Sequence, residues 1–310
     1  MSEIVADWDK RNGDVVFYEK DHVYKNIRYP YIKYTSITTL IGNYYEHFDK
    51  DFWSSYGAIK NIMGEKVFKS SGAQAMMLDI KVFKEKWLDM LGISKKEFDL
   101  ERNNILKEWD KSNKEACEWG TEYHLQKELY FYTKNKFKIG DLIGDYETEF
   151  VCEKHNFDLN RENAILPEYL IHYSSKDGVV NLSGQIDLLI KRGNDIIIID
   201  WKTNAKGIDS KAFYDKKLKK VKKMKAPINN LDDHTLNHYT LQLSLYAYML
   251  QQINPNFNIK MLKLFHKAKD SKEIGIEVPY LKNECKKIFI DTWKRNKIQY
   301  ESEILNNLTK

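Results

Sequence analysis

Cysteine is scarce in this chain of 310 residues. There are three, Cys117, Cys152 and Cys285, odd in number and far apart. The count excludes a four-cysteine zinc or iron–sulfur site, and no pair has metal-ligand spacing. No iron–sulfur cluster is expected, and the thiols read as free groups in a reducing compartment. Proline (5) and glycine (14) are also few, which excludes a collagen-like or low-complexity chain. No run approaches the roughly 20 apolar residues that a membrane helix needs; the densest is Ile196–Ile199. No membrane partner is expected. The opening residues, MSEIVADWDK, lack the apolar region of a signal peptide, so the expected location is cytoplasmic. A G-x-x-x-x-G-K-[ST] phosphate loop is missing as well, so no ATP motor is recognisable.

What is present is an ordinary globular balance, 42% hydrophobic and 31% charged residues. Fifty basic minus 45 acidic side chains leave a net charge of +5, weak evidence by itself for a polyanionic partner. Residues 14–41 mix β-branched and aromatic residues with polar ones, as short strands do. From about Asp49 to Tyr132 the apolar spacing becomes helical. Residues 147–203 return to strand character, a periodic helix is predicted from about Thr235 to Gln251, two strands follow, and a last helix begins near Lys282. The expected organisation is an N-terminal β-hairpin plus mainly helical region over 1–109, and an α/β core over 110–310 with a mixed central sheet flanked by helices.

The chemistry concentrates in LSGQIDLLIKRGNDIIIIDWKTN, residues 182–204. Two strand-like runs flank Gly193-Asn194, a dipeptide suited to a tight hairpin turn. With that turn, paired residues sum to 387, so Asp187 faces Asp200. Carboxylates so placed lie about 4.5–5.5 Å apart at Cβ and repel, unless a divalent cation turns repulsion into attraction. Alternation puts Lys202 on the same strand face as Asp200, where an amine can hold a phosphate oxygen or orient a water. Ile197 and Ile199 point the other way, toward a core. The alternative is a surface hairpin with solvated charges, but four isoleucines precede Asp200 and the partner strand brings a second aspartate.

Gly184-Gln185-Ile186-Asp187 followed by Asp200-Trp201-Lys202-Thr203 resembles the G-x-x-D…D-x-K-T signature of PD-(D/E)XK (restriction endonuclease-like) nucleases, in particular their RecB-like, phage-type exonuclease branch. Gly120-Thr121-Glu122-Tyr123-His124 resembles the G-T-x-x-H helix that precedes the core in that branch. Leu241-Gln242-Leu243-Ser244-Leu245-Tyr246-Ala247 resembles its Q-x-x-x-Y helix. The four motifs occur in the expected order over about residues 110–270. The resemblance implies a PD-(D/E)XK core in which Asp187, Asp200 and the backbone carbonyl of Trp201 bind Mg²⁺ or Mn²⁺. It implies that His124 adds an imidazole ligand, that Lys202 positions or activates the attacking water, and that Glu168 is the extra acidic ligand of some relatives. Gln242 and Tyr246 then face the cleft, bracing the lysine or touching nucleic acid; the alternative is that this aromatic stripe is core. His238 adjoins the motif helix and is the remaining histidine best placed to line the cleft.

Residues 211–225 carry eight lysines against one acid, Asp215. Lys216, Lys217, Lys219, Lys220, Lys222 and Lys223 lie either along a DNA backbone or on a solvated face. Tyr44, Tyr45, Phe48, Phe52, Trp53 and Tyr56 either stack on unpaired bases or pack their own helices. The resemblance therefore implies hydrolysis of DNA, double- or single-stranded, by a phage-type exonuclease serving replication or recombination, with proteins of those processes as partners. The alternatives are a structure-specific endonuclease acting on DNA or RNA, and a non-catalytic nucleic-acid-binding subunit of a helicase or recombination complex.

Overall fold

A computed structural model of the chain describes residues 10–18, 20–134, 136–138, 149–151, 159–205, 207–215 and 220–308. The chain forms two compact units, residues 1–46 together with 120–310, and residues 47–119. The first unit opens with β1 (Lys10–Asn12), β2 (Val15–Tyr18), β3 (Val23–Asn26), β4 (Thr35–Ser36) and α1 (Ile37–Gly42). The second holds α2 (Lys50–Met63), α3 (Glu65–Ser70), α4 (Ala73–Ile80), α5 (Lys86–Leu91) and the beginning of α6 (Lys95–Lys134). The first unit resumes with the rest of α6, then β5 (Lys136–Lys138), β6 (Glu149–Val151), β7 (Asn163–Ser174), β8 (Asn181–Arg192), β9 (Asp195–Lys202), β10 (Tyr214–Asp215) and β11 (Lys220–Val221). It closes with α7 (Thr235–Ile253), β12 (Asn258–His266), β13 (Ile274–Val278) and α8 (Lys282–Leu308).

The core of the first unit is a mixed six-stranded sheet flanked by helices. Its path runs β13-β12-β9-β8-β4, and β7 also pairs with β8. The isoleucine run explains why β9 lies inside: Ile196, Ile197, Ile198 and Ile199 are all buried, so both faces of this strand are covered, not the one face that alternation suggested. The turn at Gly193, with φ of 56°, needs the left-handed conformation that glycine adopts without strain. From it the β8–β9 ladder runs from Arg192↔Asp195 to Leu188↔Ile199, the register expected from the hairpin. The helix α7, buried along most of its length, packs its leucines on the sheet with α8 outside it.

Strand β8 has three partners and two edges. Strand β7 takes one edge from Asn181 to Arg192, except at Asp187. The other edge is shared: β9 pairs over 188–192, and β4 pairs in parallel at Leu182 and Ser183. Between them, residues 184–187 are released from that edge, and the sheet opens there. Openings of this kind, where neighbouring strands part, are where α/β folds place ligands.

The sequence pattern alone joins residues 1–109 in one N-terminal region, but residues 10–46 group otherwise. They lie in the compact unit of the core because β4 completes the sheet and the β1–β3 hairpin packs Val15 and Phe17 on Leu170 of β7. The 47–119 unit has a core of its own around Phe52, Ile59, Phe68, Met77, Trp87 and Phe98. Asp49 caps α2 by accepting the Phe52 amide at 2.8 Å.

Candidate active site

Three carboxylates lie in one row across the sheet. The β7–β8 ladder pairs Pro167 with Leu188 and Tyr169 with Ile186, which sets Glu168 opposite Asp187. The β8–β9 ladder ends at Leu188↔Ile199, and its register carried one residue further sets Asp187 opposite Asp200. The ladder is interrupted at both positions, and the freed backbone serves the side chains. The Trp201 amide donates to Asp187 Oδ2 at 2.7 Å. The N–H and C=O of one strand residue point to the same edge, so the Trp201 carbonyl also faces the opening. The neighbouring Lys202 carbonyl points to the other edge, accepting from Lys267 N at 2.9 Å. Glu168 has a φ of 50° although it is not glycine. Strain of this kind costs on the order of 1–3 kcal/mol and collects at functional sites, where it aims a side chain.

His124, on the C-terminal part of α6 that belongs to the first unit, brings its imidazole to this row. Its Nδ1 lies 3.5 Å from Asp187 Oδ2 and 3.8 Å from Glu168 Oε1. One donor atom from each of His124, Glu168 and Asp187 falls within 4.8 Å of the others. Asp200 is turned differently. It is 1% exposed, its Oδ2 lies 2.7 Å from Lys202 Nζ, and its Oδ1 accepts from Gln242 Nε2 at 3.4 Å. Lys202 Nζ also donates to Gln242 Oε1 at 3.3 Å and lies 4.6 Å above the Tyr239 ring.

The electrostatics follow from burial and repulsion. Burial first, then the charge of Asp200, push the Asp187 carboxyl up to about 7. For His124, burial acts downward, but Asp187, Glu168 and Asp200 outweigh it and raise the imidazole to about 9. Burial likewise opposes the charge of Lys202, and Asp200 and Asp187 overcome it, so the ammonium is held above its ordinary range. Hard carboxylate oxygens with one imidazole and a backbone carbonyl form a donor set suited to a divalent cation. A buried carboxylate that resists ionisation beside two others is a site short of positive charge. The residues therefore fit a divalent cation, with His124, Glu168 and Asp187 able to hold it and Asp200 and the Trp201 carbonyl alongside.

The motif glycines have steric reasons. A Cβ on Gly184 would lie 2.5 Å from Tyr246 Cε1, because the tyrosine ring lies against β8. Tyr246 in turn accepts from Gln242 Nε2 at 3.2 Å, and Gln242 bridges Asp200 and Lys202. A Cβ on Gly120 would lie 3.2 Å from Thr203 Oγ1, so glycine lets the His124 helix approach the end of β9. Gly184→Ala is expected to cost about 1–3 kcal/mol through overpacking and to lower activity by moving Gln242. Combined with Tyr246→Ala in a thermodynamic cycle, it should show a coupling of at least about 0.5 kcal/mol. Additive denaturation energies would disprove the contact.

Gln242 and Tyr246 are both buried; Gln242 meets Asp200 and Lys202, and Tyr246 meets Gln242. His238 is engaged elsewhere: its Nε2 meets Asp233 Oδ1 at 2.8 Å and its ring stacks on Tyr45 at 4.1 Å. Of the expected nucleic-acid lysines, Lys220 is exposed. Lys222 is paired with Asp233 at 2.9 Å and Glu46 at 3.5 Å, and Lys223 with Asp232 at 2.5 Å. Lys216, Lys217 and Lys219 lie outside the described residues. Tyr44 and Phe52 are buried in packing; Phe48 is exposed.

Sequence reasoning missed Tyr239, whose hydroxyl donates to Asn204 Oδ1 at 2.8 Å beneath Lys202. It also missed Glu273, which accepts from Tyr123 and lies 2.7 Å from Lys127 Nζ, clamping α6 on either side of His124. The signal for Tyr239 was its place three residues before Gln242 on one helix face. None marked Glu273, which comes from the segment before β13.

A model of the PD-(D/E)XK nuclease superfamily matches residues 99–301, well over half of the chain. The chain belongs to the PD-(D/E)XK nuclease superfamily. The matched span contains His124, the acidic row, Lys202 and the Gln242–Tyr246 helix, so this nuclease family's model covers the whole candidate site. Among curated proteins, none matches the chain. A solved structure titled "Crystal structure of SSO0001" is similar to this PD-(D/E)XK chain over 41% of its length, at 18% identity and a TM-score of 0.24. The chain spans about half of that protein, 48%.

Proposed function

We propose that this member of the nuclease superfamily is a Mg²⁺- or Mn²⁺-dependent deoxyribonuclease, an exonuclease of the RecB-like, phage type that acts in replication or recombination. The observation that carries the reading is the row Glu168–Asp187–Asp200 with His124 at one end and the Lys202–Asp200 ion pair at the other. A structural ion pair needs neither three opposed carboxylates nor a strained Glu168. The intact set of His124, Asp187, Asp200 and Lys202 favours an active enzyme over a silent binding subunit.

In this reading Lys202 orients the attacking water and offsets charge gathering on the phosphate. Asp200 and Gln242 fix the ammonium, and Tyr239 covers it from one side. His124, Glu168 and Asp187, with Asp200 and the Trp201 carbonyl, would hold the cation. When bound, the cation supplies Lewis-acid stabilisation of the scissile phosphate and eases deprotonation of water. The chain from residue 110 onward forms the nuclease core, completed by β4 from the N-terminal region of 1–109, and Lys220, with Lys216, Lys217 and Lys219 of the same run, attracts the DNA backbone. No helix among the described residues is long and apolar enough to cross a membrane; the proposed setting is the cytoplasm, of the host if phage-encoded, with replication or recombination proteins as partners.

The test is a time course on end-labelled linear, nicked, covalently closed and single-stranded DNA, and on RNA, with Mg²⁺, Mn²⁺ or EDTA. Linear DNA should shorten from an end with either metal and stay intact in EDTA, and closed circles should survive. Cutting of closed circles would make the enzyme an endonuclease. Undiminished cleavage in EDTA would overturn the metal dependence.

A further inference from the structure

Residues 22–45 contain six tyrosines, three cationic side chains and no aspartate or glutamate. The nuclease site uses none of the exposed ones. Between β3 and β4 this segment forms a loop in which Ile27, Arg28, Tyr29, Pro30 and Tyr31 are all exposed, Tyr31 at 78%. Lys25 and Lys33 flank it, exposed and joined by a β-bridge. The loop is built rather than slack. The buried Asn26 accepts the amides of Arg28 at 3.0 Å and Tyr29 at 2.7 Å, and Ile32 N donates to Tyr29 O at 3.0 Å. The rings of Tyr29 and Tyr31 stand 6.0 Å apart, and the Arg28 guanidinium lies 5.3 Å from the Tyr29 ring.

Exposed aromatic rings cost solubility unless something covers them, and here Arg28 lies against one ring while Lys25 and Lys33 flank the loop. Rings with an interleaved guanidinium and ammonium groups match the alternating π-faces and phosphates of an unpaired nucleic-acid strand. The loop belongs to the same compact unit as the acidic row. It runs into β4, where Ser36 pairs with Ser183 next to Gly184, and Tyr24, in the strand before it, is close enough to Glu168 to feel its charge. We propose that residues 25–33 are a single-strand platform, with Tyr29 and Tyr31 stacking on unpaired bases and Lys25, Arg28 and Lys33 taking the adjoining phosphates. This rests on the nuclease reading above and adds a preference for substrate that carries an unpaired strand.

The test measures anisotropy of a labelled oligothymidylate and of a blunt duplex with the full-length protein in EDTA, where no cleavage interferes. Tyr29→Ala/Tyr31→Ala should weaken oligothymidylate binding by about tenfold or more and change duplex binding less than twofold. Tyr29→Trp/Tyr31→Trp should bind the strand like the wild type. Arg28→Ala/Lys33→Ala should flatten the logarithmic salt dependence of strand binding by about 1.4, two phosphates at about 0.7 each. Unchanged strand binding in the double alanine variant would overturn the proposal, as would an equal loss on duplex. The two readings separate cleanly. Normal strand binding in variants of an active nuclease sinks the platform alone. Lost strand binding in a protein that cleaves nothing keeps the platform and sinks the nuclease.

Discussion

Lys202→Ala is expected to slow phosphodiester cleavage by about 10²–10⁴-fold, the range over which a positioned proton-transfer or charge-stabilising group acts. The substitution alone is ambiguous, because it strands a carboxylate. Asp200 is 1% exposed and its Oδ2 lies 2.7 Å from Lys202 Nζ. Removing one partner of a buried pair costs about 3–5 kcal/mol, so lost activity could reflect lost fold. Lys202→Arg separates the two effects. A guanidinium keeps the charge beside Asp200, and Tm should stay within a few degrees of the wild type. Its wider, planar head does not present the compact amine, and cleavage should still fall. With Lys202 in the proposed role, on the reacting groups and not on substrate capture, single-turnover kinetics should show the loss in the rate at saturation, with KM little changed. Wild-type rates in Lys202→Ala would place the chemistry elsewhere.

Much of this site was legible because hairpin geometry is arithmetic. Once Gly193-Asn194 is a turn, the register puts Asp187 opposite Asp200, and the ladder runs as that sum requires. The helix expected from Thr235 to Gln251 extends from Thr235 to Ile253, because its buried leucines repeat at helical spacing. What stayed hidden needed three dimensions. That Glu168 shares the row depends on the β7–β8 register, which no turn dipeptide reveals across the connecting loop. The opening of the sheet at 184–187 depends on β4, a two-residue strand too short to leave a pattern. The sequence showed eight lysines as one run, but Lys222 and Lys223 are neutralised by Asp233 and Asp232, acids ten or so residues further on. Four isoleucines in a row do not say which face is covered, since both are.

Metal-free protein should lose stability as pH rises from about 5 to 9, and Mn²⁺ should reverse the trend. Asp187 has its pKa raised from 3.8 to about 7, so the native state holds a proton that the unfolded chain has already released. The stability this contributes is complete below 3.8 and is lost as pH rises through 7. His124 is raised from 6.5 to about 9; its contribution is complete below 6.5 and is lost as pH rises through 9. Both losses run in the same direction. His124 is part-exposed and solvent screens its share, so Asp187, buried among carboxylates, dominates. The fall should amount to several degrees in Tm between pH 5.5 and 8.5 in EDTA. Asp187→Asn removes the ionisable group while its amide oxygen can still accept the Trp201 N–H. It should flatten the profile and raise Tm at pH 8.5 in chelator, yet reduce cleavage by about 10³-fold by depriving the cation of a charged ligand. Mn²⁺ at about a hundred times its Kd at pH 8.5 should stabilise the wild type by about 2.7 kcal/mol, and the same concentration should stabilise less at pH 5.5, because binding must displace the protons on Asp187 and His124. A profile that rises with pH in EDTA, or an Asp187→Asn variant less stable than the wild type at pH 8.5, would mean that the acidic row carries no charge strain and so no need for a cation.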